Sequence, residues 1–292
     1  MTIGIDMAAH EAWVGRSEKA EDLITPHVVR GMHAILDHEV AVAEGDELPP
    51  AWHWMFTLPA VRQSQLGADG HPKRGGFLPP IELPRRMWAG SDVEFHAPLR
   101  VGDRIERVSR IESVTAKTGS TGALVFLVVR HEISSSSGGL TVDLQRIVFR
   151  DAPKSDAAGE ARAGAGAAPA RAEAPPGVSE FSLALQPDPV MLFRFSALTF
   201  NGHRIHYDLP YATEVEGYAG LVVHGPLIAL VMLDALQRHR PGARVKKFAF
   251  TPRRPITTPT IMTAGGRREG DAYALWMEAG GAACSVGSAT LG

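Results

Sequence analysis

One cysteine, Cys284, in 292 residues leaves no way to form an internal disulfide, so the fold must rest on packing. Long apolar runs are equally scarce. The most apolar window, Leu227 to Leu233, is far shorter than the roughly 20 residues needed to span a bilayer, and Asp234 ends it. The first residues, MTIGIDMAAHEAWVGRSEKAEDLI, are partly acidic and hold no apolar stretch of signal-peptide type, so a cytoplasmic setting without a membrane is expected. Charge of one sign is also missing. Against 32 Asp plus Glu stand 30 Lys plus Arg, a formal net charge of -2 that offers no field to gather nucleic acid. Any anionic ligand must be held locally. Cys284, in GAACSVGSATLG, reads as a small buried hydrophobe in a strand.

What is present falls into two halves. Residues 152–177, APKSDAAGEARAGAGAAPARAEAPPG, have almost no large apolar side chain and cannot offset the entropy of being ordered. A flexible linker is expected there, between a half at 1–151 and a half at 178–292. In the first half, Thr25 and Pro26 open a helical pattern with Val28, Val29, Met32, Ile35 and Leu36 on one face. Strand-like patterns run from Val93 onward, through Ala123 to Val129 after the turn from Lys117 to Gly122, and through Leu140, Val142, Leu144, Ile147 and Phe149. Between Ile105 and Val114 the apolar residues recur every three positions, a conflict resolved in favour of strand by the flanks.

The second half alternates at Phe181, Leu183 and Leu185, then offers Asp188-Pro189 as cap and first turn of a short helix through Phe195. Gly225-Pro226 opens LIALVMLDAL, apolar nearly all round and so a buried helix. Strands are expected at 245–251, 273–277 and 285–291, giving one buried helix wrapped by antiparallel strands.

The chemistry concentrates between Arg194 and Leu227, RFSALTFNGHRIHYDLPYATEVEGYAGLVVHGPL, where polar residues crowd between two apolar helices. Three readings follow from residue types. His206 can act as general acid and base, with the Asn201 amide holding a water. His203, His206 and Asp208 can form a metal site. Or these groups simply satisfy the loop backbone and one another.

SALTFNGHRIHYD and GYAGLVVHGPLIALVMLDAL resemble the MaoC-like hydratases and dehydratases, whose signature closes on His-x-Asp, here His206-Tyr207-Asp208. The spacing from Asn201 to His206 matches that family's Asp and His, but Asn stands where the family has Asp. That form, with MWAGSDVEFHAPLRVGDRIERVSRIESVTAKTGSTGALVFLVVRHEI in the first half, is similar to one branch: mitochondrial type 2 hydroxyacyl-thioester dehydratases and bacterial mesaconyl-C4-CoA (3-methylfumaryl-CoA) and itaconyl-CoA hydratases.

The resemblance implies an α+β double hot-dog in one chain, two antiparallel sheets each wrapping a central helix. It implies a hydro-lyase that adds water across an enoyl thioester carried on CoA, with no cofactor and no resident metal. His206 then serves as base and acid, Asn201 orients the water, and backbone N–H groups at Gly225, beside His224, polarise the thioester carbonyl. Asp208 is expected to cap the loop and His203 to brace it. Arg204, Lys246, Lys247, Arg253 and Arg254 are the candidate cations for a substrate carboxylate or CoA phosphates.

The first half shows no second His-x-Asp, and His96 reads as structural; that half supplies walls from Trp52, Trp54, Met55, Phe56, Met87 and Trp88. The acyl group is expected to be a C5 dicarboxylic enoyl unit, and a homodimer is the family expectation. The rivals are a 3-hydroxyacyl-CoA or acyl-carrier-protein dehydratase of fatty-acid type, a hot-dog thioesterase, a non-catalytic acyl-thioester-binding subunit and a metal-dependent enzyme.

Overall fold

The computed structural model describes residues 10–119, 122–150 and 176–292. Residues 152–175 of the expected linker, and Ser120 and Thr121 of the expected turn, lie outside them. Among the described residues, ten strands and three α-helices carry the fold. They follow the order β1 (Ser17–Leu23), α1 (Pro26–Ile35), β2 (Arg85–Ala97), β3 (Arg104–Gly119), β4 (Gly122–Ser135), β5 (Leu140–Arg150), β6 (Phe181–Leu185), α2 (Pro189–Leu198), α3 (Gly225–His239), β7 (Val245–Pro252), β8 (Met262–Glu269), β9 (Ala272–Ala279) and β10 (Ala282–Leu291).

All strand neighbours are antiparallel, in one sheet ordered β1-β3-β4-β5-β2-β7-β10-β9-β8-β6. The two sets of strands join edge to edge where Ser91, Asp92, Val93 and Glu94 of β2 face Phe250, Ala249, Phe248 and Lys247 of β7. The seam closes what would otherwise be two exposed strand edges. The stretch with three-residue periodicity is the strand β3, because its pairing with β4 over most of its length outweighs local spacing.

The three helices start where proline fixes the first turn, at Pro26, Pro189 and Pro226. Asp188 accepts the Met191 N–H at 2.7 Å, whereas Thr25 holds the cap position without a side-chain bond. Ten consecutive residues of α3, Leu227 to Leu236, are buried, and they form one core with Val29, Met32 and Ile35 of α1 and Leu192 and Phe195 of α2. Asp234 tolerates that burial because Arg238 and His38 each meet it at 3.0 Å. A smaller core of Ile111, Val114, Val125, Leu127, Ile147 and Phe149 lies along β3, β4 and β5.

Two strands carry no clear pattern in the sequence. β1, SEKAEDL, is largely exposed and charged, and β8, MTAGGRRE, holds two glycines where strands usually place large apolar residues. Cys284 is buried in β10, as its context suggests.

Candidate active site

α2 ends at Leu198, and Phe200 takes a left-handed φ of 47° that turns the chain back on itself. Non-glycine residues adopt that conformation only when their surroundings enforce it. Here the Asn201 N–H returns to the Ser196 carbonyl at 2.8 Å. The Asn201 Oδ1 in turn accepts the His203 N–H at 3.0 Å. With its oxygen engaged, the Asn201 amide still has two N–H donors, and the residue lines the cleft described below.

One turn later His206 is 7% exposed. Its Nδ1 lies 2.7 Å from the Val222 carbonyl, which can only accept, so Nδ1 carries the proton and the neutral ring keeps its lone pair on Nε2. Burial pushes its pKa down to about 3, against the opposing pull of the Val222 carbonyl, so the ring is an unprotonated base at neutral pH. His224, the residue capping α3, stacks on it with ring centroids 3.6 Å apart, and its Nε2 meets the Ser196 hydroxyl at 2.8 Å. Its Nδ1 is buried without a partner among the described residues.

Gly225 follows at the first position of α3, where helix N–H groups have no intrahelical acceptor. A Cβ there would stand 2.8 Å from the Trp88 ring, so glycine is what lets the helix start approach the opposite wall.

These residues line a cleft of about 1870 Å³ whose walls come from both parts of the chain. Asn201, His203, Arg204, His206, His224, Gly225, Arg253 and Arg254 all reach it. Lys246 and Lys247 do not: both are exposed on β7, and Lys247 pairs with Glu94 at 2.7 Å across the seam. Both lysines are thus solvated at the start of β7, where the register against β10 is irregular, while Phe248 and Phe250 further along are buried. Arg204 lines the cleft but is engaged: Nε and Nη2 bind Asp208 at 2.9 and 2.7 Å, Nη1 binds the Ala68 carbonyl at 3.1 Å, and the guanidinium lies over the Tyr211 ring. Asp208 also accepts the Tyr211 N–H at 3.1 Å, and it is not among the residues that line the cleft. Trp54, Phe56, Met87 and Trp88 form wall; Trp52 and Met55 are packed into the main core instead.

The sequence reading missed what the loop before β2 brings. Asp69 and His71 reach His203, with the His71 and His203 ring centroids 4.0 Å apart. Gly70 makes this possible: at φ 88° its missing Cβ would lie 1.9 Å from the Gly202 carbonyl oxygen, so the two loops touch backbone to backbone. The Arg204 N–H closes the contact on the Asp69 carbonyl at 2.9 Å.

Burial alone would raise the Asp69 carboxyl, but the His71 ring at 2.9 Å and its N–H at 3.0 Å hold it well below the usual range. His203 is pushed down to about 3 by burial and by His71. Asp69, His71 and His203 also form the group able to hold a metal ion among the described residues, their ligand atoms lying within 4.8 Å of one another. His206 and Asp208, considered with His203 from the sequence, are not part of it. Deeper in the cleft β5 adds Asp143, which accepts Trp54 Nε1–H at 2.7 Å and lies 3.5 Å from His53 Nε2.

The profile of the family described as hydroxyacyl-thioester dehydratase type 2 matches residues 51–258. The mesaconyl-C4-CoA hydratase of Chloroflexus aurantiacus is 42% identical over 248 residues, which cover 84% of each chain. Among solved structures, a MaoC-like dehydratase from Phytophthora capsici superposes with a TM-score of 0.69 at 13% identity, covering 99% of both chains. A Mycobacterium tuberculosis protein described as having a double hot-dog fold gives 0.58 at 15% identity, covering 96% of both. The fold is therefore a double hot-dog. With its profile match and its near relative, the chain belongs to the type 2 hydroxyacyl-thioester dehydratase family and is a hydro-lyase of acyl thioesters.

Proposed function

We propose that this chain hydrates a short dicarboxylic enoyl-CoA, with mesaconyl-C4-CoA as the first candidate, using His206 as both base and acid. The observation that carries the mechanism is the His206 Nδ1–Val222 contact at 2.7 Å, which leaves a neutral Nε2 lone pair in the cleft. Nε2 takes one proton from water as the water oxygen bonds to C3. The π electrons of the C2–C3 bond move onto the thioester as an enolate. The enolate then collapses, and the proton on Nε2 passes to C2, restoring the neutral ring. Gly225 N–H, at the start of α3, is the donor assigned to the thioester oxygen. The Asn201 amide N–H groups orient the water.

A depressed pKa fits this cycle. The imidazolium forms only alongside the enolate anion, which stabilises it, and gives its proton up readily.

The 42% identity to a mesaconyl-C4-CoA hydratase supports the substrate. So does the lining: Asp143, His131 and Arg107 put polar groups in the same cleft as the catalytic loop, a poor surface for a long alkyl chain. In this reading residues 1–151 supply walls and charge, 178–292 supply the chemistry, and no cofactor takes part beyond the CoA of the substrate. The enzyme works in the cytoplasm, on the argument from its single buried cysteine, and as a homodimer by family resemblance. No helix among the described residues is long and apolar enough to cross a membrane.

Incubation with mesaconyl-C4-CoA, itaconyl-CoA and crotonyl-CoA, followed by loss of enoyl-thioester absorbance and product mass, tests the reading. Water addition with a dicarboxylic substrate preferred is expected. Release of free CoA, or preference for crotonyl-CoA, would overturn it.

A further inference from the structure

Three arginines cluster where β2 begins, and two are engaged. Arg85 meets Glu216 at 3.3 Å, and Arg74 donates to the carbonyls of Pro84, at 2.7 Å, and Ile81. Arg86 differs. It lines the cleft, is mostly withdrawn from solvent, and none of its donors meets a protein acceptor among the described residues. The first carboxylate in its field is Asp69, both of whose oxygens are already bonded by His71. Burial lowers the Arg86 pKa, and its charge is felt at His203, the ring beside His206. A planar fork of donors thus lines the same cleft as His206, with no protein partner among the described residues.

We propose that Arg86 receives the free carboxylate of the acyl group and so sets the preference for dicarboxylic enoyl thioesters. The inference rests on the substrate reading above and adds the residue responsible for it. In mesaconyl-C4-CoA that carboxylate is attached to C3, the carbon that takes the hydroxyl. A bidentate guanidinium there fixes the double bond against His206 and removes the repulsion between the carboxylate and the developing enolate. A lysine offers a point charge in place of the fork and should recover only part of the effect.

The test measures kcat/KM for mesaconyl-C4-CoA and for crotonyl-CoA, which lacks the second carboxylate, with wild type, Arg86→Gln and Arg86→Lys; circular dichroism and melting check that each variant is folded. The ratio of the two kcat/KM values is expected to fall by about 100-fold in Arg86→Gln, as for loss of a charged hydrogen-bonded pair, and by less in Arg86→Lys. An unchanged ratio overturns the proposal: if both substrates weaken together, Arg86 serves the CoA portion or the fold, and if neither weakens, it serves nothing in this site. A wild type with no preference for the dicarboxylic thioester overturns the substrate reading itself, an outcome visible before any variant is made.

Discussion

His206→Ala is expected to lower kcat for hydration by about 10³-fold or more, toward the upper end of what a positioned acid/base supplies. The reason lies at position 201. With an Asn there, the amide has no titrating proton, so position 201 cannot take over as acid or base when the imidazole is lost. His206→Asn separates chemistry from packing, because its amide can keep the donor that holds the Val222 carbonyl while lacking a basic nitrogen. Equal loss of kcat in both variants, with the Asn variant melting near the wild type, is the expected result. Retention of more than about a tenth of wild-type kcat in the Asn variant would remove His206 from the mechanism.

Acid should unfold this protein early. His131 is pushed down to about 4, His203 and His206 to about 3, and His224 well below its ordinary value, in each case by burial first. In the unfolded chain these rings titrate near 6.5. Their folded pKa values lie lower, so between about pH 6.5 and 4 the unfolded state binds more protons, and stability falls as pH falls. Each ring contributes at most about 1.4 kcal/mol per pH unit in that window. Four together weaken the fold by several kcal/mol at pH 5, against a usual total of about 5–15 kcal/mol. The carboxylates of Asp69 and Asp143, held below their ordinary range, act in the same direction only below about pH 4. Urea titrations at pH 7, 6 and 5 check this. A midpoint that does not move across that range would mean that these rings are protonated in the folded state.

How much of this was legible in the sequence follows from the range of each interaction. Helix starts were, because a proline at the first turn acts on its own neighbours: Pro26, Pro189 and Pro226 all open helices. The loop from Asn201 to Asp208 was legible as a motif, and its internal bonds, Asn201 to the His203 N–H and Asp208 to Arg204 and Tyr211, span two to four residues. That same closure explains why Arg204 turned out to be engaged: a carboxylate four residues on was already within reach.

What lay beyond reading was long in sequence and short in space. Asp69 and His71 meet His203 across more than 130 positions, through a glycine contact that leaves no periodic trace. Arg86 stood in a run of two arginines with nothing to say which would be paired. Lys246 and Lys247 illustrate the reverse error, since a dense basic cluster is conspicuous in sequence whichever way the strand faces.

The stack of His206 on His224 bears on stereochemistry. Two unit charges 3.6 Å apart repel by roughly 5 kcal/mol at an effective dielectric of about 20, so the pair has room for one proton and not two. The proton drawn from water must therefore reach C2 before another is taken up. One nitrogen, Nε2 of a ring fixed by its Nδ1 bond to Val222, meets a single side of the planar double bond. Hydroxyl and proton then arrive on the same face, and hydration in D2O should leave deuterium at C2 syn to the new hydroxyl at C3.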